Sequence, residues 1–310
     1  MRELQEKGVV CVLLATFNGA AHLDEQLGSL EDQDYPAIDV IVSDDGSTDG
    51  TLARLAVWRE RWRKGRFEIR SGPRLGFAEN FRSLIINLPD DCAYVAFCDQ
   101  DDIWEADKLP RAVAWLTGAE GPRLFCSRTL AVSEDGVPLG PSALFTRPPA
   151  FRNAIVQSLA GANTMVMNRT AAELVVEASR RTAFVSHDWW SYLVVSGAGG
   201  EVYFCPAPLV RYRQHTANQV GANIGLRGGL SRVRRLLRGQ FREWMQLNLA
   251  GLAAISDLLE PDAQRTVKAF ECARTGNAFA RVQQLRKTGA YRQSRRGTWF
   301  LYVAAACGWL

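Results

Sequence analysis

An apolar run from Val9 to Ala15 stops at the polar set Thr16-Phe17-Asn18-Gly19, and Leu23, Leu27 and Leu30 then recur at helical spacing. This reads as strand, loop and helix. After Tyr35-Pro36, Ile38 to Val42 predicts a second strand, which halts at the polar stretch Ser43 to Gly50 before a helix from Thr51. Phe67 to Ser71 predicts a third strand, Phe77 to Asn87 a helix, Tyr94 to Cys98 a fourth strand, and a further helix begins near Glu105. Such alternation predicts an α/β fold, a mostly parallel sheet with helices on both faces. Ligands of such sheets sit beyond the carboxyl ends of the strands. Thr16 to Gly19, Asp44 to Gly50 and Asp99 to Asp102 all fall at those ends, so they can share one crevice.

From about residue 123 the pattern shortens. Strands are expected at Leu124 to Ser127 and Thr129 to Val132, followed by a turn at Glu134-Asp135-Gly136 and a link at Pro148-Pro149. Leu159 to Asn168 reads as a loop entering a strand, and helices follow from Thr170 and from His187. Late strands are expected at Gly200 to Phe204 and Leu209 to Tyr212, and the chain is helical and basic beyond Gly229. These features divide the chain into a domain of residues 1 to 224, with halves of about 8 to 122 and 123 to 224, and an extension of residues 225 to 310.

Composition sharpens that division. Residues 1 to 224 hold 22 Lys and Arg against 28 Asp and Glu, whereas residues 225 to 310 hold 15 against 5. A basic tail on an acidic body suits an anionic surface. Arg227, Arg232, Arg234, Arg235, Arg238 and Arg242 alternate with Leu230, Val233, Leu236, Leu237 and Phe241 in an amphipathic pattern. Near the end, Arg292, Arg295 and Arg296 precede the uncharged run Thr298 to Leu310, too short to span a bilayer. Contact with an anionic inner leaflet is expected, with folding back on the core or an oligomer interface as alternatives. The tail aromatics do not interleave with its arginines, which disfavours nucleic acid. The seven cysteines include no C-x-x-C pair, so no disulfide framework or zinc knuckle is indicated and a reducing cytosol fits. The polar N-terminus and short run Val9 to Ala15 lack a signal-peptide layout, which places the start of the chain in the cytoplasm.

The candidate chemistry lies where the fourth strand ends, at Asp99-Gln100-Asp101-Asp102. Carboxylates packed this closely raise one another's pKa unless a cation is supplied. Oxygen ligands favour Mg2+ or Mn2+, which characteristically bridge to substrate phosphates. The plainer reading is an acidic turn leading into the next helix.

Together with Ala15-Thr16-Phe17-Asn18-Gly19, Val42 to Thr51, Gly76-Phe77-Ala78-Glu79-Asn80 and His187-Asp188-Trp189-Trp190, this motif resembles the family-2 inverting glycosyltransferases of the A-type fold (GT-A) over roughly residues 8 to 215. The Asp-Gln-Asp-Asp form and Tyr212-Arg213-Gln214-His215 look most like the rhamnosyltransferase branch. The resemblance implies a nucleoside diphosphate sugar donor and a glycan or lipid-linked glycan acceptor. It implies donor contacts from Thr16, Phe17, Asn18, Asp44 or Asp45, Asn80, Asp99 and Gln100, and a metal held by Asp99, Asp101 and His215. Asp44 or Asp45 would read the pyrimidine N3–H and ribose, with an Asx turn as the alternative role. Asp188 is the expected catalytic base. Trp189 and Trp190 are either apolar surroundings for it, a sugar platform or plain core. Arg211 and Arg213 are alternatives for diphosphate contact, one of them pointing elsewhere. Asp102 could cap the helix entered at Trp104, and the segment Gly161 to Met165 resembles an acceptor-facing loop without assignable residues.

No Q-x-x-R-W motif and no long apolar spans are present, which favours addition of a single sugar over processive polymerisation. A dehydrogenase is disfavoured because no G-x-G-x-x-G follows the first strand. The competing expectation is a catalytically silent, membrane-bound sugar-nucleotide scaffold.

Overall fold

A computed structural model describes residues 8–214 and 240–310. Strands β1 (Val10–Thr16), β2 (Ile38–Asp44), β3 (Phe67–Ser71) and β4 (Tyr94–Cys98) are mutually parallel in the order β3-β2-β1-β4. The sheet continues past β4 through β8 (Val166–Asn168), β6 (Arg123–Val132), β9 (Glu201–Arg213) and β5 (Ile103–Trp104), while β7 (Pro138–Pro141) pairs with β6. This second half is mixed: β8 is antiparallel to both β4 and β6, β6 is parallel to β9, and β5 is antiparallel to β9. The chain is thus α/β with a parallel half and a mixed half.

Side chains alternate across the sheet, so β1 feeds two cores. Val10, Val12 and Leu14 face α1 (Leu23–Glu31), α2 (Thr51–Arg61) and α4 (Lys108–Leu116) through Leu27, Leu55 and Leu109. Cys11 and Leu13 face α3 (Phe77–Ile86), α6 (Arg169–Arg181) and α7 (His187–Gly197) through Phe81, Val175 and Leu193. A short turn of helix, α5 (Phe151–Ala154), lies on this second side. The same core extends into α8 (Gln240–Ala254), α9 (Pro261–Cys272), α10 (Ala278–Thr288) and α11 (Arg295–Cys307) through Leu252, Phe270, Leu285 and Leu301.

Several local expectations change in three dimensions. Trp104 belongs to the edge strand β5, and α4 begins only at Lys108, because residues 103–104 find a partner in Val210 and Arg211. The two strands expected over 124–132 are one, with a register shift around Ser127 to Thr129, and β9 likewise runs unbroken from Glu201 to Arg213. Cys11 and Cys92 form a disulfide, with Cα atoms 5.7 Å apart, where the spacing indicated no disulfide framework. They are 81 residues apart and meet because β1 lies beside β4. Among the described residues no helix is long and apolar enough to cross a membrane. The arginine-rich pattern beginning at Arg227 lies outside the described residues up to Gln240.

Candidate active site

β1 and β4 are neighbours whose chain connections leave in opposite directions across the sheet, and the carboxyl ends of such strands border a crevice. On one side stand the loops after β1 and β2. Asp44 closes β2 as an Asx turn: its Oδ1 accepts from the amides of Gly46 (3.1 Å) and Ser47 (2.8 Å). Its Oδ2 accepts from the hydroxyls of Thr16 (2.9 Å) and Ser47 (2.6 Å). Four bonds approach the capacity of a carboxylate. Gly46 carries a φ of 97°, which the turn requires and a side chain would resist. Asp45 accepts from the amides of Arg74 (2.6 Å) and Gly76 (2.8 Å), bracing the loop before α3. Asn80, on α3, donates to the Ser43 carbonyl at 2.9 Å, and its Oδ1 is buried without a protein partner.

The first loop is held in the same manner. Asn18, at φ 49°, accepts from the Thr48 amide (2.8 Å) and donates its own amide to the Ser47 hydroxyl (2.8 Å). Gln100 receives the Phe17 amide on Oε1 (2.8 Å) and returns Nε2 to the Phe17 carbonyl (3.1 Å). That clamp leaves the Phe17 ring 56% exposed at the rim.

The other side is built from β4 and α7. Burial, with Asp101 and Asp188 adding negative charge, pushes Asp99 up to about 7, while Lys108 opposes the shift. Asp102 is buried and accepts from the Asn163 amide and the Arg213 backbone N–H, so it braces the floor and caps no helix. Burial, with the negative charge of Asp101 and Asp99, pushes its pKa well above the usual carboxylate range against those two hydrogen bonds. Lys108 is fully buried, donates to the Asn163 carbonyl at 2.7 Å and sits against the Trp104 ring, and its pKa is driven well down by desolvation.

Asp188 lies in the first turn of α7. Burial raises its pKa, against hydrogen bonds from the Ser186 and Ser158 side chains and from nearby amides. Its neighbour His187 stacks on Phe81 at 3.6 Å and meets the edge of Phe97, and burial pushes it from its usual 6.5 down to about 3. His187 is therefore a neutral core ring. Trp189 and Trp190 are buried too, their indole N–H groups bound to the Ala154 carbonyl (2.7 Å) and the Ser179 hydroxyl (3.2 Å). They serve as core and present no open face to a sugar.

Arg211 and Arg213 part company by burial. Arg211 is half-exposed and pairs with Glu105 at 2.8 Å. Arg213 is buried, donates to the backbone carbonyls of Asp101 (3.2 Å) and Glu134, and pairs with Glu25. His215 lies outside the described residues. Among the described residues no three His, Cys, Asp or Glu side chains are gathered to hold a metal. Asp99 and Asp101 are hard oxygen donors brought close together, the type of ligand that Mg2+ or Mn2+ prefers.

Lys108, Asn163 and Ser158 escaped the motif reading. Lys108 left one trace: with Ala112 and Leu116 it occupies the buried i, i+4, i+8 stripe of α4, where a lysine needs a partner. Asn163 entered only as part of the segment Gly161 to Met165, with no role of its own, and Ser158 left no trace.

Residues 11–170 match the family described as glycosyl transferase family 2. The chain is 28% identical over 229 residues to the dTDP-rhamnosyl transferase RfbG of Shigella flexneri, covering 71% of this chain and 78% of that protein. It is 26% identical over 190 residues to the putative teichuronic acid biosynthesis glycosyltransferase TuaG of Bacillus subtilis (strain 168), covering 60% and 73%. In fold it resembles S. aureus TarS 1-349, solved with UDP-GlcNAc, with a TM-score of 0.54 at 16% identity and coverage of 90% and 89%. The mannosyltransferase PcManGT of Pyrobaculum calidifontis, solved with GDP-Man and Mn2+, gives 0.50 at 20% identity and coverage of 98% and 81%.

Proposed function

The chain belongs to glycosyl transferase family 2, and on that premise we propose that it transfers one sugar, rhamnose foremost, from a dTDP or UDP donor to a growing surface glycan with inversion. The observation that carries this reading is that Asp99, just beyond the end of β4, and Asp188, in the first turn of α7, lie within electrostatic reach of one another. Similarity to a dTDP-rhamnosyl transferase supports the sugar and base.

In this scheme Asp188 accepts the proton of the acceptor hydroxyl as its oxygen bonds to the anomeric carbon and the bond to the diphosphate breaks on the opposite face. Burial keeps Asp188 more basic than an exposed aspartate, which suits the task. Asp99 and Asp101 would hold Mg2+ or Mn2+, whose charge offsets that of the departing diphosphate. Phe17 offers its exposed ring to the base, with Asp44, Asp45 and Asn80 shaping that end of the site. Arg211 is the better placed of the two arginines for the diphosphate, being the less buried.

Residues 8 to 122 would form the donor half, 123 to 224 the acceptor half and 225 to 310 a membrane-facing extension. Exposed Phe279 and Trp299, on α10 and α11, accompany exposed Arg286, Lys287, Arg295 and Arg296, a pairing suited to the anionic inner face of the cell membrane and a lipid-linked acceptor. On this reading the protein would act from the cytoplasm, peripheral to the membrane, with a homo-oligomer as a compatible state. The test is a panel of nucleoside diphosphate sugars with Mg2+, Mn2+ or EDTA on wild type and Asp101→Ala. Metal-dependent turnover of one donor, lost in the variant, is expected; no binding of any donor under any condition overturns the reading.

A further inference from the structure

The segment between α5 and β8 reaches both groups of carboxylates. Ser158 Oγ donates to Asp188 Oδ2 at 3.0 Å. Five residues on, buried Asn163 donates its side-chain amide to Asp102 and accepts Lys108 on its backbone carbonyl. The far end of this stretch is stiff. Residues Ala162–Thr164 form a 3-10 turn in which the Thr164 amide and hydroxyl both donate to the Gly161 carbonyl, at 3.0 and 2.8 Å. Met165 then donates to the Ala162 carbonyl (2.8 Å) and accepts from the Phe97 amide of β4 (3.4 Å), tying the turn to the strand that carries the acidic motif. A Cβ on Gly161 would stand 2.7 Å from Asn163 Oδ1, so the turn admits no larger residue there without moving Asn163.

We propose that Ser158 is a positioning residue for Asp188 and that the Ser158–Asn163 loop is the spacer that sets the separation between the base and the acidic motif. The proposal rests on the reading of Asp188 as the base. A serine hydroxyl has one proton, and Ser158 Oγ has two acceptors in reach, Asp188 Oδ2 at 3.0 Å and the Ala160 carbonyl at 3.3 Å. Given to the nearer Oδ2 it restrains, together with Ser186, the rotation of the carboxylate about its Cβ–Cγ bond. Transfer geometry tolerates little error: an ångström of misplacement costs on the order of a hundredfold in rate. A loop anchored on Asp102 at one end and Asp188 at the other holds that distance by hydrogen bonds, independently of whether donor is bound.

The experiment measures donor hydrolysis with Mn2+ against donor concentration for the full chain and for Asp188→Asn, Ser158→Ala, Ser158→Thr and Gly161→Ala, with thermal melts on each. Ser158→Ala should lower kcat roughly tenfold, the worth of one hydrogen bond to a charged group. Its donor KM should stay within about twofold, because donor contacts are untouched. Ser158→Thr should restore most of the rate, and Gly161→Ala should lower kcat while the melt persists. An unchanged kcat in Ser158→Ala alongside an inactive Asp188→Asn overturns the spacer and leaves the base standing. So does a loss in Ser158→Ala that Ser158→Thr fails to recover. Asp188→Asn turning over at the wild-type rate removes the base assignment and the spacer with it, as does a wild type that turns over no donor.

Discussion

The loops after β2 and after β4 are both rich in aspartate, and they use it in opposite ways. After β2, Asp44 and Asp45 face backbone amides and hydroxyls, and between them accept six hydrogen bonds that knit three loops together. After β4, Asp99 is partly buried beside Asp101 and Asp188, and desolvation with their negative charge pushes the Asp99 pKa up to about 7 against the opposing charge of Lys108. A carboxylate saturated by N–H and O–H donors is a structural strut. One that is buried among its own kind stores electrostatic free energy that a proton or a metal ion can release. The same residue type at the carboxyl end of a strand is therefore tied down by donors in one loop and crowded by like charge in the other.

The sharpest way to break that contrast is to remove one carboxylate from each side. Asp188→Asn should reduce turnover on the order of a thousandfold, within the range general-base removal produces, while donor binding by calorimetry persists. Asp44→Ala should act on stability, lowering it by about 3 kcal/mol as several buried donors lose their acceptor, read as a fall in the denaturation midpoint. If Asp44→Ala were stable but dead, the loop after β2 would have to be counted with the chemistry.

His187 sharpens the comparison from the acceptor side. Its folded pKa of about 3 lies below its usual 6.5, so as pH falls the unfolded chain takes up a proton that the folded chain refuses. Stability is full above 6.5 and declines below it by about 1.4 kcal/mol per pH unit until the folded value is reached. Between pH 7 and 5 wild type should therefore lose roughly 2 kcal/mol more than His187→Phe, measured by chemical denaturation. The buried carboxylates are common to both proteins, so the difference isolates the imidazole. The smallest effect belongs to the surface: Trp299→Ser with Phe279→Ser should weaken binding to anionic vesicles several-fold, since each removes one exposed aromatic, with little change in donor turnover.

The first 100 residues were readable because their information is local. Short apolar runs bounded by polar turn residues, and leucines at helical spacing, place β1 to β4 and α1 to α3 within a few residues of their observed ends. The second half was less so. β5 is two residues long and exists only because β9 lies beside it, and the break read at Ser127-Arg128 is a shift in register inside one strand. Within the site, the acidic motif and Asp188 were visible as motifs, whereas the use of Gln100 as a clamp on Phe17 was not, because an amide's partner is set 83 residues away.

What the sequence by itself determined was the order of strand, loop and helix, and hence that the polar clusters would gather at one end of the sheet. Periodicity is a property of neighbours along the chain, and parallel strands carry their carboxyl ends to the same edge. Tertiary structure alone decided which carboxylates are spent on hydrogen bonds and which are left crowded. It also decided that Ser158 meets Asp188, that Asn163 joins Asp102 to Lys108, and that Cys11 meets Cys92. Those pairings span 30 to 81 residues. Their free energies depend on burial and on the direction of a few donors, quantities that exist only once the chain has closed on itself.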